Sequence, residues 1–189
     1  MAQTTSIESD ARLMAKIARG DSEAERELIE LHFPRIYGLA CRMLGDQSEA
    51  EDICQEALVR LWNTADDWTA SAKLSTWLHR VVYNLSVDCL RKRRHMMGSE
   101  DVETANLFSE QQSGIDEYAS NQTADIVNAA ILSLPERQRT AITLVYHNEL
   151  GNIEAAEIMD ISVEALESLL SRGRRKLRDN LFDMRRDLI

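Results

Sequence analysis

Helix breakers are scarce in this sequence. Its 189 residues include 7 glycines and 2 prolines. So few breakers, beside abundant Ala, Leu, Glu and Arg, exclude a turn-rich β architecture and predict an all-α fold. "TLVYH" is the one brief β-like run, and its context is helical. No apolar stretch approaches the ~20 residues that span a bilayer. The start, "MAQTTSIESDARLMAKIARGD", lacks the basic segment and apolar core of a secretion signal. The expectation is therefore a soluble, cytoplasmic chain with no membrane insertion. Cysteine is nearly absent: Cys41, Cys54 and Cys89 are odd in number, form no CxxC and have no histidine beside them at zinc-ligand spacing. They are expected to be reduced thiols, with no metal and no cofactor. Positive charge is also in deficit, 22 Lys and Arg against 32 Asp and Glu, a net charge of −10. That excludes a uniformly basic nucleic-acid coat and directs attention to where the cations lie.

Hydrophobic residues make up 44% of the chain, enough for ordinary helical cores. Residues 9–95 show apolar positions at helical spacing. "ARLMAKIARGD" puts Leu13, Met14 and Ile17 on one stripe and ends at Gly20. A second helix is expected to start at Asp21 or Ser22, bury Leu28, Leu31, Ile36, Leu39 and Met43, and stop at Gly45. A third is expected to open on a capping box of Ser48 and Glu51, with Ile53, Ala57, Leu58 and Leu61 inward. A fourth, capped by Ser75 or Thr76, carries Leu78, Val81, Val82, Leu85, Val87 and Leu90. Residues 96–125 hold seven acids and no Lys or Arg, the composition of a flexible acidic linker. Helical periodicity returns over 126–189, interrupted at Pro135, which suits a helix's first turn. The predicted organisation is two small helical domains, 9–95 and 126–189, joined by the linker.

Near the C-terminus, "NIEAAEIMDISVEALESLLSRGRRKLRD" pairs a short helix with a longer one. Asp160 sits at the tight turn and tolerates a left-handed conformation. Ile161 can plug the corner, Ser162 is a good N-cap, and Glu164 suits the positive end of the helix dipole. Ala165 leaves the capping box half-formed. Val163, Leu166, Leu170, Gly173 and Leu177 form an inner stripe. The outer face carries Glu164, Glu167, Ser168, Ser171, Arg172, Arg174, Arg175 and Arg178. This is the layout of a helix-turn-helix whose second helix enters the major groove. A solvated face that merely complements its own dipole is the alternative.

In the N-terminal part, Arg91, Lys92, Arg93, Arg94 and His95 follow Trp62, Trp68, Trp77 and Tyr83. Cations interleaved with aromatics suit single-stranded nucleic acid. Trp62 and Trp77 are expected to be mainly structural, with Lys73 and Asn84 the better contacts. Upstream, Asp46, Glu49, Glu51, Asp52, Gln55 and Glu56 make one helix acidic. It is either a solvated face or a docking surface for a basic partner.

"SEAEDICQEALVRLWNTADDWTASAKLSTWLHRVVYNLSVDCLRKRR" resembles region 2 of bacterial sigma factors of the extracytoplasmic function (ECF) group. "LPERQRTAITLVYHNELGNIEAAEIMDISVEALESLLSRGRRKLRDNL" is similar to their region 4. The resemblance implies a protein with no enzymatic activity that binds core RNA polymerase and directs it to promoter DNA. It implies polymerase docking by Asp52, Gln55, Glu56 and Arg60. It places Lys73, Ser75, Thr76 and Trp77 where a base of the −10 element is flipped and held, and Arg80, Asn84, Asp88, Arg91 and Lys92 along the adjoining helix. Ser162, Glu164, Glu167, Ser168, Ser171, Arg172, Arg174 and Arg175 fall on the reader of the −35 element. The acidic linker resembles the segment threaded toward the RNA exit path. An anti-sigma factor that clamps both domains is a further implied partner. The chain departs from the pattern at Glu167, where many relatives carry a cation, and at Leu169, where many carry Arg. Glu167 can accept a hydrogen bond from cytosine N4 or stay solvated. Arg172, Arg174 and Arg175 suit phosphates more than bases. A one-component helix-turn-helix regulator, with residues 9–95 as sensor, is the rival reading. A helical metalloenzyme fits poorly, since the chain lacks Glu-x-x-His pairs.

Overall fold

The structure, a computed structural model, describes residues 2–69, 72–96 and 122–186, with side chains at 7–69, 72–96 and 126–182. Every regular element among the described residues is helical. They form two compact units, Met1–Arg93 and Arg94–Ile189. Most of the acidic stretch expected at 96–125 lies outside the described residues.

The first unit consists of α1 (Ala2–Ile17), α2 (Ser22–Leu44), α3 (Gln47–Asn63) and α4 (Leu74–Met96) as far as Arg93. Its helix ends follow local chemistry. Gly20 adopts φ 77° after α1, and the Asp21 carboxylate accepts the Glu23 and Ala24 amides to open α2. Gly45, at φ 69°, donates its amide to the Cys41 carbonyl and closes α2. Pro34 lies inside α2 without ending it. Burial of Leu28, Ile36 and Leu39 on the same helix offsets the lost amide donor.

Four expectations change here. Leu31 is 60% exposed, because the next residue, His32, takes the inward position. The α3 cap is Asp46, which accepts the Glu49 amide at 2.9 Å; the helix starts at Gln47 and leaves Ser48 within its first turn. Cys54 is fully buried where Ile53 was expected, and Ile53 is half-buried. At α4, Ser75 and Thr76 lie inside the first turn rather than capping it. The Leu74 amide instead donates to Asp10 Oδ2 on α1 at 2.8 Å.

Two histidines are buried in this unit. His79 is 1% exposed and its Nδ1 lies 2.6 Å from the Ser75 carbonyl, which assigns the proton to that nitrogen. His32 is 7% exposed and its Nε2 has no hydrogen-bond partner. Burial lowers the His32 pKa; Asp10 opposes the shift, while His79 and Arg35 add to it.

The second unit contains α5 (Gln122–Leu132), α6 (Glu136–Ile142), a π-helical turn (Thr143–His147), α7 (Asn152–Ile158) and α8 (Val163–Arg186). Pro135 is the N-cap of α6, one position before the first turn. The β-like "TLVYH" run is the π-helical turn, closed by the Asn148 amide on the Thr143 carbonyl. Asp160 adopts φ 51°, as the tight turn requires. Ser162 then accepts the Ala165 amide on its hydroxyl and the Leu166 amide on its carbonyl. Leu134, Leu144, Ile158 and Leu166 are fully buried. Gly173 faces α6 so closely that a Cβ there would sit 3.1 Å from Ile142 Cγ1.

Gly173→Val therefore forces α6 and α8 apart and should cost about 1–3 kcal/mol of stability, measured by chemical denaturation of the intact chain. Acid should weaken the first unit. With its folded pKa depressed, His32 binds fewer protons folded than unfolded as pH falls below about 6.5. Stability is full above that value and declines beneath it, by at most about 1.4 kcal/mol per pH unit from this group. Unfolding midpoints across pH 5–8 should show that slope, and His32→Gln should flatten it.

Candidate nucleic-acid interface

On α3, Asp52, Gln55, Glu56 and Arg60 are all exposed and recur at three and four, which places them on one face. Arg60 Nε donates to Glu56 Oε1 at 2.8 Å, so the two hold each other one turn apart. Val59 is 44% exposed on the same stripe, and Trp62, expected to be structural, is 37% exposed beside it. The face thus combines carboxylates with apolar surface. The apolar part was missed because Val59 and Trp62 fit a core pattern equally well.

Glu49, read as part of that acidic face, has a different job. Arg93 Nε donates to Glu49 Oε1 at 3.2 Å, Arg93 Nη2 donates to Glu49 Oε2, and Arg93 Nη1 donates to the Leu44 carbonyl at 3.1 Å. One guanidinium thereby clasps the end of α4 to the start of α3 and the end of α2. This bidentate fork is the strong form of ion pair. Arg93 therefore leaves the basic cluster expected to face nucleic acid. Cys89 Sγ donates to the same carboxylate at 3.4 Å.

The remaining α4 candidates form one line. Trp77, Arg80, Asn84, Asp88 and Arg91 are spaced by three or four. Arg80, Asn84, Asp88, Arg91 and Lys92 are exposed, whereas Lys73, Ser75, Thr76 and Trp77 are half-buried around the helix start. Trp77 packs edge-on against Trp68, with centroids 5.9 Å apart and planes at 76°. Arg91 pairs with Asp88 at 3.3 Å.

On α8, Ser162, Glu164, Glu167, Ser168, Ser171, Arg172, Arg174 and Arg175 are all exposed. Leu166, Leu169 and Leu170 are buried, so the departure at Leu169 belongs to the core rather than to the outer face. The Ser162 hydroxyl is engaged in the cap. The Glu164 carboxyl is held below its usual range by its own amide and by the Ser162 hydroxyl, which makes it a helix-start acid. Arg172 Nε turns back to the Ser168 carbonyl at 3.3 Å. Arg174 Nη1 donates to the Tyr146 hydroxyl at 2.8 Å. Tyr146 is 52% exposed and stands out from the π-helical turn onto the α8 face. No sequence spacing links these two, since the pair spans 28 positions.

All three cysteines are free. Burial pushes the Cys54 thiol up to about 12 and also raises Cys41 and Cys89. Among the described residues, no helix is long and apolar enough to cross a membrane, and no group of His, Cys, Asp or Glu could hold a metal ion.

Residues 28–96 match the model of Sigma-70 region 2, and residues 124–177 match that of Sigma-70, region 4. The ECF RNA polymerase sigma factor SigW of Bacillus subtilis is 35% identical over 177 residues, which cover 89% of this chain and 95% of the relative. The chain belongs to the ECF sigma factors, a family of transcription initiation factors. Its fold resembles that of CnrH in complex with the cytosolic domain of CnrY, at a TM-score of 0.67 and 23% identity over 92% of this chain and 97% of that one. It also resembles the sigma factor RpoE in complex with the anti-sigma factor NepR from Bartonella quintana, at 0.64 and 23% over 82% and 95%.

The clasp gives a direct test. Arg93→Ala should lower stability by about 1–3 kcal/mol, because it removes the donors shared by the Glu49 carboxylate and the Leu44 carbonyl. Arg91→Ala and Lys92→Ala should each stay within about 0.5 kcal/mol. Urea denaturation of the full chain separates the two cases.

Proposed function

We propose that the two units divide the work of a sigma factor between enzyme and promoter. The α3 face of Asp52, Gln55, Glu56 and Arg60 docks on core RNA polymerase. Its exposed Val59 and Trp62 supply apolar contact that a purely solvated acidic face lacks. The start of α4, with Lys73, Ser75, Thr76 and Trp77, holds a flipped base of the −10 element, and Arg80, Asn84, Asp88, Arg91 and Lys92 follow the strand. The outer face of α8 enters the −35 groove.

The observation that carries this reading is the partition of α8. Leu166, Leu169 and Leu170 are buried while every polar and basic candidate is exposed, behind an α7–turn–α8 geometry set by Asp160 and Ser162. Arg172, Arg174 and Arg175 contact phosphates, and Glu167 faces a base edge. The protein acts without enzymatic chemistry, in the cytoplasm, where the polymerase works. Free of polymerase it binds DNA weakly. Two modest readers become strong when one rigid enzyme holds both. An anti-sigma factor is its regulator; the fold shared with RpoE in complex with NepR supports that partner.

Arg172→Ala with Arg175→Ala should reduce promoter-dependent transcription at least tenfold, on the order expected for two lost phosphate contacts, and leave polymerase binding intact. In vitro transcription beside a core-polymerase pull-down reads both. Loss of polymerase binding in this variant contradicts the division. Tight binding of purified protein to duplex without polymerase favours a one-component regulator.

A further inference from the structure

Helix α4 draws an acceptor for its first amide from a distant part of the chain. The residue before its first helical position is Lys73, whose carbonyl receives the Trp77 amide at 3.1 Å. A lysine side chain holds donors only. Helix starts leave amides without partners and carry partial positive charge, so lysine is unsuited there on both counts. The acceptor for the first amide comes from a residue 64 positions earlier, where Asp10 on α1 takes the Leu74 amide at 2.8 Å. Leu74 is fully buried and Asp10 is half-buried, so water is a poor replacement for that carboxylate. Asp10 also lies ahead of residues 28–96, the span matched by region 2.

We propose that Asp10 is a positioning residue for promoter opening: by holding the first amide of α4 it fixes the backbone from which Lys73, Ser75, Thr76 and Trp77 project. This rests on the assignment of that segment to the −10 element. A helix start pinned at its first amide has one position and one direction. Its first-turn side chains inherit both, and Trp77 gains a second restraint from Trp68. Without the carboxylate, the segment still forms a helix, but its first turn frays and the residues that hold the flipped base lose their common frame. The reader of the −10 element therefore includes α1.

The test uses full-length chains assembled with bacterial core polymerase. The probe is a duplex selected from a random pool by the wild-type holoenzyme and labelled with 2-aminopurine in the melted segment. Asp10→Ala should slow opening about tenfold, the effect of losing a helix cap. Asp10→Asn keeps an oxygen for the Leu74 amide and should open within about threefold of wild type. Hydrogen exchange at the Leu74 amide should be fast in Asp10→Ala and protected in Asp10→Asn, while both bind polymerase normally. If Asp10→Ala does not fold, Asp10→Glu takes its place: the charge is kept but the acceptor is displaced, and the same slowing is expected. Opening at the wild-type rate by Asp10→Ala, or equal impairment in Asp10→Asn, overturns the proposal. A Trp77→Ala chain that opens DNA normally overturns the underlying assignment instead, whatever Asp10 does.

Discussion

A helix cannot satisfy its own first amides, and here that constraint governs the surfaces that matter. The acceptors that meet it come from different distances. At α8 the answer is local: Ser162 turns its hydroxyl onto the following turn. At α3 it is local again, through Asp46. At α4 it is remote, because the acceptor sits on α1. Each solution determines which side chains are left to face a partner. Ser162 is used by its own helix, whereas Ser75 and Thr76 lie in the first turn of α4.

Charge in this protein follows the same logic of prior engagement. Counting acids and bases gives a strongly negative chain with cations collected near two helices. The structure separates structural charges from available ones. Arg93 and Glu49 neutralise each other in the joint between α2, α3 and α4. Arg139 is 9% exposed and donates to the Leu132 carbonyl, which ties α6 to the end of α5. Arg174 is steadied by Tyr146 and so has less rotamer freedom to lose than a freely moving arginine. The charges on α8 and along the outer line of α4 remain exposed.

The helices and most of the inward stripes were legible in the sequence, because apolar residues at three and four state a helix face plainly. Leu28, Ile36, Leu39, Leu58, Leu61, Leu78, Leu166 and Leu170 all pack as that spacing requires. The turn at Asp160 and the cap at Ser162 were legible too, since each depends on a residue and its immediate neighbours. Where reading failed, the deciding partner was elsewhere. Leu31 and His32 exchange expected roles because the choice between adjacent residues is made by the packed neighbours. Pro34 passes unnoticed because packing overrides its local cost. Asp10 with Leu74, Arg93 with Glu49, and Tyr146 with Arg174 are each separated by 28 positions or more, beyond any periodic signal.

Helix α8 has 24 residues and is about 36 Å long at ~1.5 Å per residue. Its cations begin at Arg172, near the middle, and further along Asn180 Nδ2 donates to Ser133 Oγ, just beyond α5. A single stiff rod therefore joins the outer surface to the helix that directly follows residues 97–121. Torque applied at one end of such a rod reaches the other without a hinge in between. A displacement of the chain at Ser133 is therefore passed directly to Asn180 on α8.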